Sequence, residues 1–249
     1  LEIIVCATKA LKNLGVNHIE LYIGYLIGGR SDRKFKDGGV NYIKDVIAPI
    51  INMQEYNKVY VHTPHSDVTE ACINKIDILD NNTLVYRSIK DIASINSLKW
   101  SDYSQIRLLS PDGGALKRVY TNAEYLQYKE EIIIAAKHRD PISGKITHTS
   151  VPMSPNDADK HMVIIDDICD GGRTFIEIAK VIKEIQSLST TVQPENYGKI
   201  YLIVTHGVFS AGFRELNKYF DGIYCTDSYS SKDDPEFSLK NDDELHKLK

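Results

Sequence analysis

The sequence predicts an α/β protein of two related halves, each a mostly parallel sheet flanked by helices. Short runs of β-branched and aliphatic residues alternate with segments of helical apolar spacing, which is the pattern of strands joined by helical crossovers. A strand running into a glycine-bearing loop recurs three times, at residues 27 to 32, 109 to 114 and 165 to 174. The third instance is the clearest. Met162 to Ile165 is a buried-type strand, Asp166-Asp-Ile-Cys-Asp-Gly-Gly-Arg-Thr174 follows, and Phe175, Ile178, Ala179, Ile182 and Ile185 then recur at helical spacing.

In chain order, Leu1, Ile4, Val5, Leu11 and Leu14 line one face of a helix that Gly15 can close, and Ile19 to Ile27 supplies an apolar strand. Gly28-Gly-Arg-Ser-Asp-Arg-Lys34 turns the chain. The pattern predicts a helix over 40 to 51, a strand over Lys58 to His62, a helix over 68 to 78 and another over 87 to 97. Next come a strand from Gln105 to Leu109, the turn Ser110-Pro-Asp-Gly-Gly114 with Lys117 and Arg118 beyond it, and a strand from Glu131 to Ala136. Asp140 to Ser154 is rich in turn residues and has no helical period, so it is expected to form a mobile loop or hairpin flap. Ile200 to Val204 is a further buried strand, and the tail from Ser228 reads as an edge excursion with a short last element.

The loop after Ile165 has chemical purpose. Gly171 and Gly172 permit positive φ and close backbone approach, while the helix opening near Thr174 aims free N–H groups at the same point. That combination cradles a phosphate. Adjacent carboxylates at Asp166 and Asp167 repel each other beside a phosphate alone, so a ribose diol or a metal must account for them. Asp170, Arg173 and Thr174 stand where they can reach or neutralise a phosphate. The alternation of Arg30, Asp32, Arg33 and Lys34 makes a second, cationic site suited to a polyphosphate. His62 ends a strand at the edge where open α/β sheets bind ligands.

Composition narrows the class. The chain has 249 residues, 42% hydrophobic and 26% charged, with a net charge of −4, so it lacks the basic footprint of a nucleic-acid binder. It contains no apolar run of membrane-spanning length. Cys6, Cys72, Cys169 and Cys225 match neither a zinc nor a redox spacing, so reduced thiols in the cytoplasm are expected, with Cys169 as small filler. The chain starts at Leu1 directly in a helical pattern and reads as the remainder of a longer protein.

The residues 162 to 174 resemble the ribose-5-phosphate loop of type I phosphoribosyltransferases and of ribose-phosphate pyrophosphokinases, the synthetases of phosphoribosyl pyrophosphate (PRPP). Further motifs, in order, resemble the synthetases. Arg30-Ser31-Asp32 is similar to their Arg-Gln-Asp, Val61-His62 to Leu-His, and Ser110-Pro-Asp112-Gly-Gly with Lys117-Arg118 to Ser-Pro-Asp-x-Gly-Gly with Lys-Arg. Lys137-His-Arg139 is similar to the catalytic Lys-x-Arg, and Thr205-His-Gly-Val-Phe-Ser210 to Thr-His-Gly-Ile-Phe-Ser. There are departures too. The family's Thr-x-Gly-Thr is Gly171-Gly172-Arg173-Thr174 here, and Tyr60 stands where most members carry Asp.

The resemblance implies two phosphoribosyltransferase-like domains, the first incomplete at its N-terminus: residues 1–85 on the ATP side, and residues 86–249 with the ribose 5-phosphate loop and a catalytic flap. The nucleotide would lie in the cleft between them, and the Asn and Glu that contact adenine would come from a segment before Leu1. It implies transfer of the β,γ-diphosphoryl group of ATP to O1 of ribose 5-phosphate. Arg30, Ser31, Asp32 and His62 would bind ATP, and His62 and Asp112 would hold Mg²⁺. Asp166, Asp167, Asp170, Gly171, Gly172, Arg173 and Thr174 would hold ribose 5-phosphate. Lys137 and Arg139, which point the same way along an extended backbone, would carry the rate. A homo-oligomer, dimer or hexamer, is implied as well. The alternatives are a phosphoribosyltransferase that uses PRPP and a base, and a non-catalytic homologue associated with the synthetase; Arg30-Ser-Asp32 and His62 favour the synthetase over the first, and Lys137, Arg139, Asp112 and His62 over the second.

Overall fold

The computed structural model describes residues 1–34, 36–99, 102–139 and 146–229. The chain divides into two compact units, Leu1–Asp80 and Asn81–Lys249.

In the first unit, strands β1 (Glu20–Ile23), β2 (Lys58–His62) and β3 (Ile76–Leu79) form a parallel sheet in the order β1-β2-β3. Helix α1 (Glu2–Asn13) packs through Leu1 and Ile4, and the buried Thr8 hydroxyl meets that of Tyr56 at 2.6 Å. Its expected apolar face is therefore covered only in part, since Leu11 and Leu14 are 39% and 80% exposed. A helical segment opens with one π turn over Ile43–Ile47 and continues as α2 (Ala48–Asn52), burying Ile43, Ile47, Ala48 and Ile51. One expectation fails here. The helix foreseen over 68 to 78 stops as α3 (Asp67–Cys72), Lys75 turns the chain at φ +53°, and Ile76 and Ile78 enter β3. Isoleucines at 73, 76 and 78 satisfy a helical and an alternating period alike, and pairing with β2 decides between them.

The second unit carries a five-stranded parallel sheet in the order β10-β9-β8-β4-β5. Its strands are β4 (Ile106–Ser110), β5 (Ile133–Ile134), β8 (His161–Cys169), β9 (Ile200–Gly207) and β10 (Gly222–Thr226). Neighbouring residues of β8 supply two separate cores. Met162 and Ile164 pack with Phe175, Ile178, Ala179 and Ile182 of α6 (Arg173–Ser187), whereas Val163 and Ile165 pack with α4 (Asn82–Ile95) and α5 (Leu116–Leu126). Alternation on a doubly covered sheet requires this, and each fully buried Ile or Val contributes about 1.5–3 kcal/mol. β10 has no counterpart among the expected elements. The strand expected from Glu131 to Ala136 pairs with β4 over two residues only, after which the chain leaves the sheet.

It leaves as an antiparallel hairpin of β6 (Ala136–Arg139) and β7 (Ile146–Ser150). Lys137 pairs with Thr149 and His138 with His148, and the register shifts before Arg139 pairs with Ile146. The expected flap thus has a two-stranded base. Its tip, Asp140 to Lys145, the side chain of Arg139 and the tail from residue 230 lie outside the described residues. Among the described residues no helix is long and apolar enough to cross a membrane.

Candidate functional site

The C-terminal ends of the adjacent strands β4 and β8 gather most of the expected chemistry. β8 is longer than its apolar run suggested. It stays paired with β9 through Cys169, so Asp166 and Asp167 lie within the strand and not beyond its end. Asp167 is 3% exposed. The Arg118 guanidinium, from α5, reaches both carboxylates, with Nη1 3.3 Å from Asp166 Oδ1 and 3.4 Å from Asp167 Oδ1. The Asp167 backbone N–H also donates to Asp166 Oδ1 at 2.8 Å. Burial, and then the charge of Asp167, push the Asp166 carboxyl well above the usual range, and Arg118 pulls it back. Cys169, fully buried at the end of β8, has its thiol pushed up by burial, so it is packing material rather than a nucleophile.

The loop between β8 and α6 is braced. Val208 and Phe209 donate their N–H groups to the carbonyl of Cys169, at 2.9 and 3.1 Å, and Ser210 donates its own to that of Asp170 at 3.1 Å. The Ser210 hydroxyl donates to Asp170 Oδ1 at 2.5 Å. Gly172 caps α6 at φ +75°, and a Cβ there would meet Leu216 Cδ2 at 2.9 Å. Gly171 does not use the left-handed region, so the conformational demand falls on one glycine of the pair. Helix α6 begins at Arg173, one residue before the expected start, with the N–H groups of its first turn at the loop. An anion with hydroxyls on its other side suits this arrangement of N–H donors beside carboxylate acceptors.

At the end of β4, Asp112 Oδ1 accepts from the N–H groups of Gly114 and Ala115 at 3.0 and 3.3 Å, and the Ser110 hydroxyl donates to the Asp112 carbonyl at 2.7 Å. Asp112 Oδ2 faces Lys137 Nζ at 3.3 Å. The hairpin therefore brings its lysine onto the carboxylate that the sequence marks as a metal ligand. The Asp112 side chain is 47% exposed, and a divalent ion that keeps waters and phosphate oxygens as its other ligands would take Oδ2 in exchange for Lys137. Among the described residues no three His, Cys, Asp or Glu side chains converge as a metal site.

The other expected residues lie in the first unit. Arg30 and Ser31 are exposed after β1, while Asp32 is buried beside them. Burial would raise Asp32, but the Ser66 hydroxyl and the Arg33 guanidinium, its Nε 3.4 Å away, outweigh it and hold the carboxyl below its usual value. His62 ends β2, and burial lowers its pKa against the opposing effect of Asp80. Two contacts went unassigned in the sequence. Arg118 and Ser210 both stand in recognised motifs, yet nothing in their spacing says that one bridges the Asp pair and the other ties down Asp170.

A model of the phosphoribosyl transferase domain matches residues 75–191. The ribose-phosphate pyrophosphokinase of Saccharolobus solfataricus is 27% identical over 184 residues, covering 74% of this chain and 58% of that protein. That of Thermococcus kodakarensis is 25% identical over 223 residues, covering 88% of this chain and 69% of that protein. Among solved structures, the phosphoribosylpyrophosphate synthetase of Mycobacterium smegmatis matches with a TM-score of 0.73 at 16% identity, over 98% of this chain and 70% of that one. The chain thus spans about three-fifths to seven-tenths of its relatives' length.

Proposed function

We propose that this chain, which belongs to the ribose-phosphate pyrophosphokinase family and has its phosphoribosyltransferase-like α/β fold, transfers the β,γ-diphosphoryl group of ATP to O1 of ribose 5-phosphate, giving PRPP and AMP. The observation that carries the reading is the Lys137–Asp112 pair, which puts a hairpin cation at the edge of β4, the strand beside the one that ends in the acceptor loop. Diphosphoryl transfer asks little covalent work of a protein, so positioning and neutralisation of developing charge make up the catalysis.

In this reading the N–H groups at the start of α6, with Arg173 and Thr174, bind the 5′-phosphate. Asp166 and Asp167 accept hydrogen bonds from the ribose hydroxyls, and Asp170 completes the loop. Arg30, Ser31 and Asp32 bind the phosphates of ATP, within the part of the chain, residues 1–85, assigned to the nucleotide. Asp112 would hold Mg²⁺, which supplies neutralisation of the phosphate charge. Lys137 and Arg139 stabilise the transferring group, and hairpin closure excludes water. Assembly into a dimer or hexamer in the cytoplasm belongs to the same proposal, and light scattering in solution tests the assembly.

Incubation with ATP, Mg²⁺ and ribose 5-phosphate should release AMP in step with PRPP. Release of AMP that does not depend on ribose 5-phosphate would overturn the reading, and consumption of PRPP with a nucleobase would replace it by a phosphoribosyltransferase.

A further inference from the structure

One cation in this molecule faces two carboxylates that follow each other in a strand. Successive side chains of a strand leave on opposite faces, so Asp166 and Asp167 share no partner by default. Arg118 nevertheless meets both, because α5 packs against β8 through the face that holds Val163 and Ile165 and projects the guanidinium over the strand's end. The Arg118 side chain is itself 18% exposed, so solvent screens the three charges poorly. Asp166 Oδ1 accepts from Arg118 and from the backbone N–H of Asp167, so the cation and the strand's own backbone hold the same oxygen.

We propose that Arg118 is a positioning residue that eases the joint ionisation of Asp166 and Asp167, so that the pair can meet the vicinal hydroxyls of the acceptor sugar as two hydrogen-bond acceptors. The sugar is the one assigned above, and in that part the inference rests on the proposed function. Two neighbouring carboxylates without a cation keep a proton between them. A protonated pair offers a donor where the diol also offers donors, and it matches the sugar less well.

Among the described residues, Arg118 from α5 and Cys169 along β8 face the pair. A carboxyl that holds its proton more tightly in the folded than in the unfolded chain stabilises the fold at acid pH, and that stabilisation is lost as the pH climbs through the folded value. Removing Arg118 should deepen the loss.

Thermal unfolding without ligand, from pH 5 to pH 8, tests the claim. Arg118→Met should lose about 5 °C more than the wild type across that range. Arg118→Lys, which keeps the charge, should stay near the wild-type profile, and Arg118→Met with Asp166→Asn should abolish the extra loss. Calorimetry with ribose 5-phosphate should show Arg118→Met binding about tenfold more weakly at pH 7, the deficit shrinking as the pH rises and the pair ionises. If Arg118→Met follows the wild-type pH profile, the inference is overturned. If that variant does not fold, Arg118→Gln, which keeps donors without the charge, decides: a larger loss than wild type supports the inference and a wild-type profile overturns it. Failure of the wild type to bind ribose 5-phosphate would remove the proposed substrate, while the unfolding profiles would still settle whether Arg118 governs the pair.

Discussion

The loop after β8 and the hairpin β6–β7 belong to the same unit and hold their charges in opposite ways. The loop is built into the sheet. Its carboxylates sit in a paired strand, its glycine cap packs on Leu216, and Asp170 is tied to Ser210. The hairpin leaves the sheet after two residues of pairing, and its lysine pairs with Asp112 across an exposed carboxylate. A rigid site costs nothing to organise when a ligand arrives, which suits ground-state binding. A ribbon that can trade one partner for another suits a contact made only when charge develops. Binding and rate should therefore separate along this line.

The largest expected effect is on the hairpin. On the proposed reaction, in which the cation would act on the transferring group, Lys137→Ala should lower kcat by a factor on the order of 10³, with KM for ATP and ribose 5-phosphate little changed. Steady-state kinetics check this, and a loss carried by KM alone would erase the distinction between the two regions. Gly172→Ala comes next, and it should act through binding. An L residue at φ +75° with its Cβ against Leu216 is strained by about 1–2 kcal/mol, so the melting temperature should fall and KM for ribose 5-phosphate should rise about tenfold. A normal KM would show that the cap is not part of the acceptor site.

Asp112 joins the two regions and should show a smaller, metal-specific effect. Asp112→Asn would remove the hard charged ligand proposed for Mg²⁺ and also release Lys137, so the Mg²⁺ concentration for half-maximal rate should rise several-fold while metal-free ribose 5-phosphate binding stays near wild type. An unchanged magnesium dependence would remove Asp112 from the metal site. The smallest expected change is Ser210→Ala, which gives up the hydrogen bond to Asp170 and should weaken ribose 5-phosphate binding by about 1 kcal/mol, roughly fivefold, measured by calorimetry.

Much of this was legible in the chain. Strand β2, the core of β8, the apolar face of α6 and the loop from Asp170 to Thr174 follow from local pattern, because alternation, helical spacing and glycine each act within a few residues. The ordered motifs were legible for the same reason, since each is a short contiguous run.

Tertiary structure decided what depends on residues far apart in sequence. Ile76 to Leu79 is a strand because β2 pairs with it, although its spacing also suits a helix. Leu11 and Leu14 remain exposed although their periodicity assigns them to a buried face. Asp166 and Asp167 fall within β8 because β9 continues beside them as far as Gly207, beyond the apolar run that marked the strand. The bridging of that pair by Arg118, 48 and 49 residues away, and the pairing of Lys137 with Asp112 across 25, arise from the packing of α5 and the path of the hairpin. Local sequence sets which backbone geometry and which charge each residue brings, while long-range packing determines which charges meet.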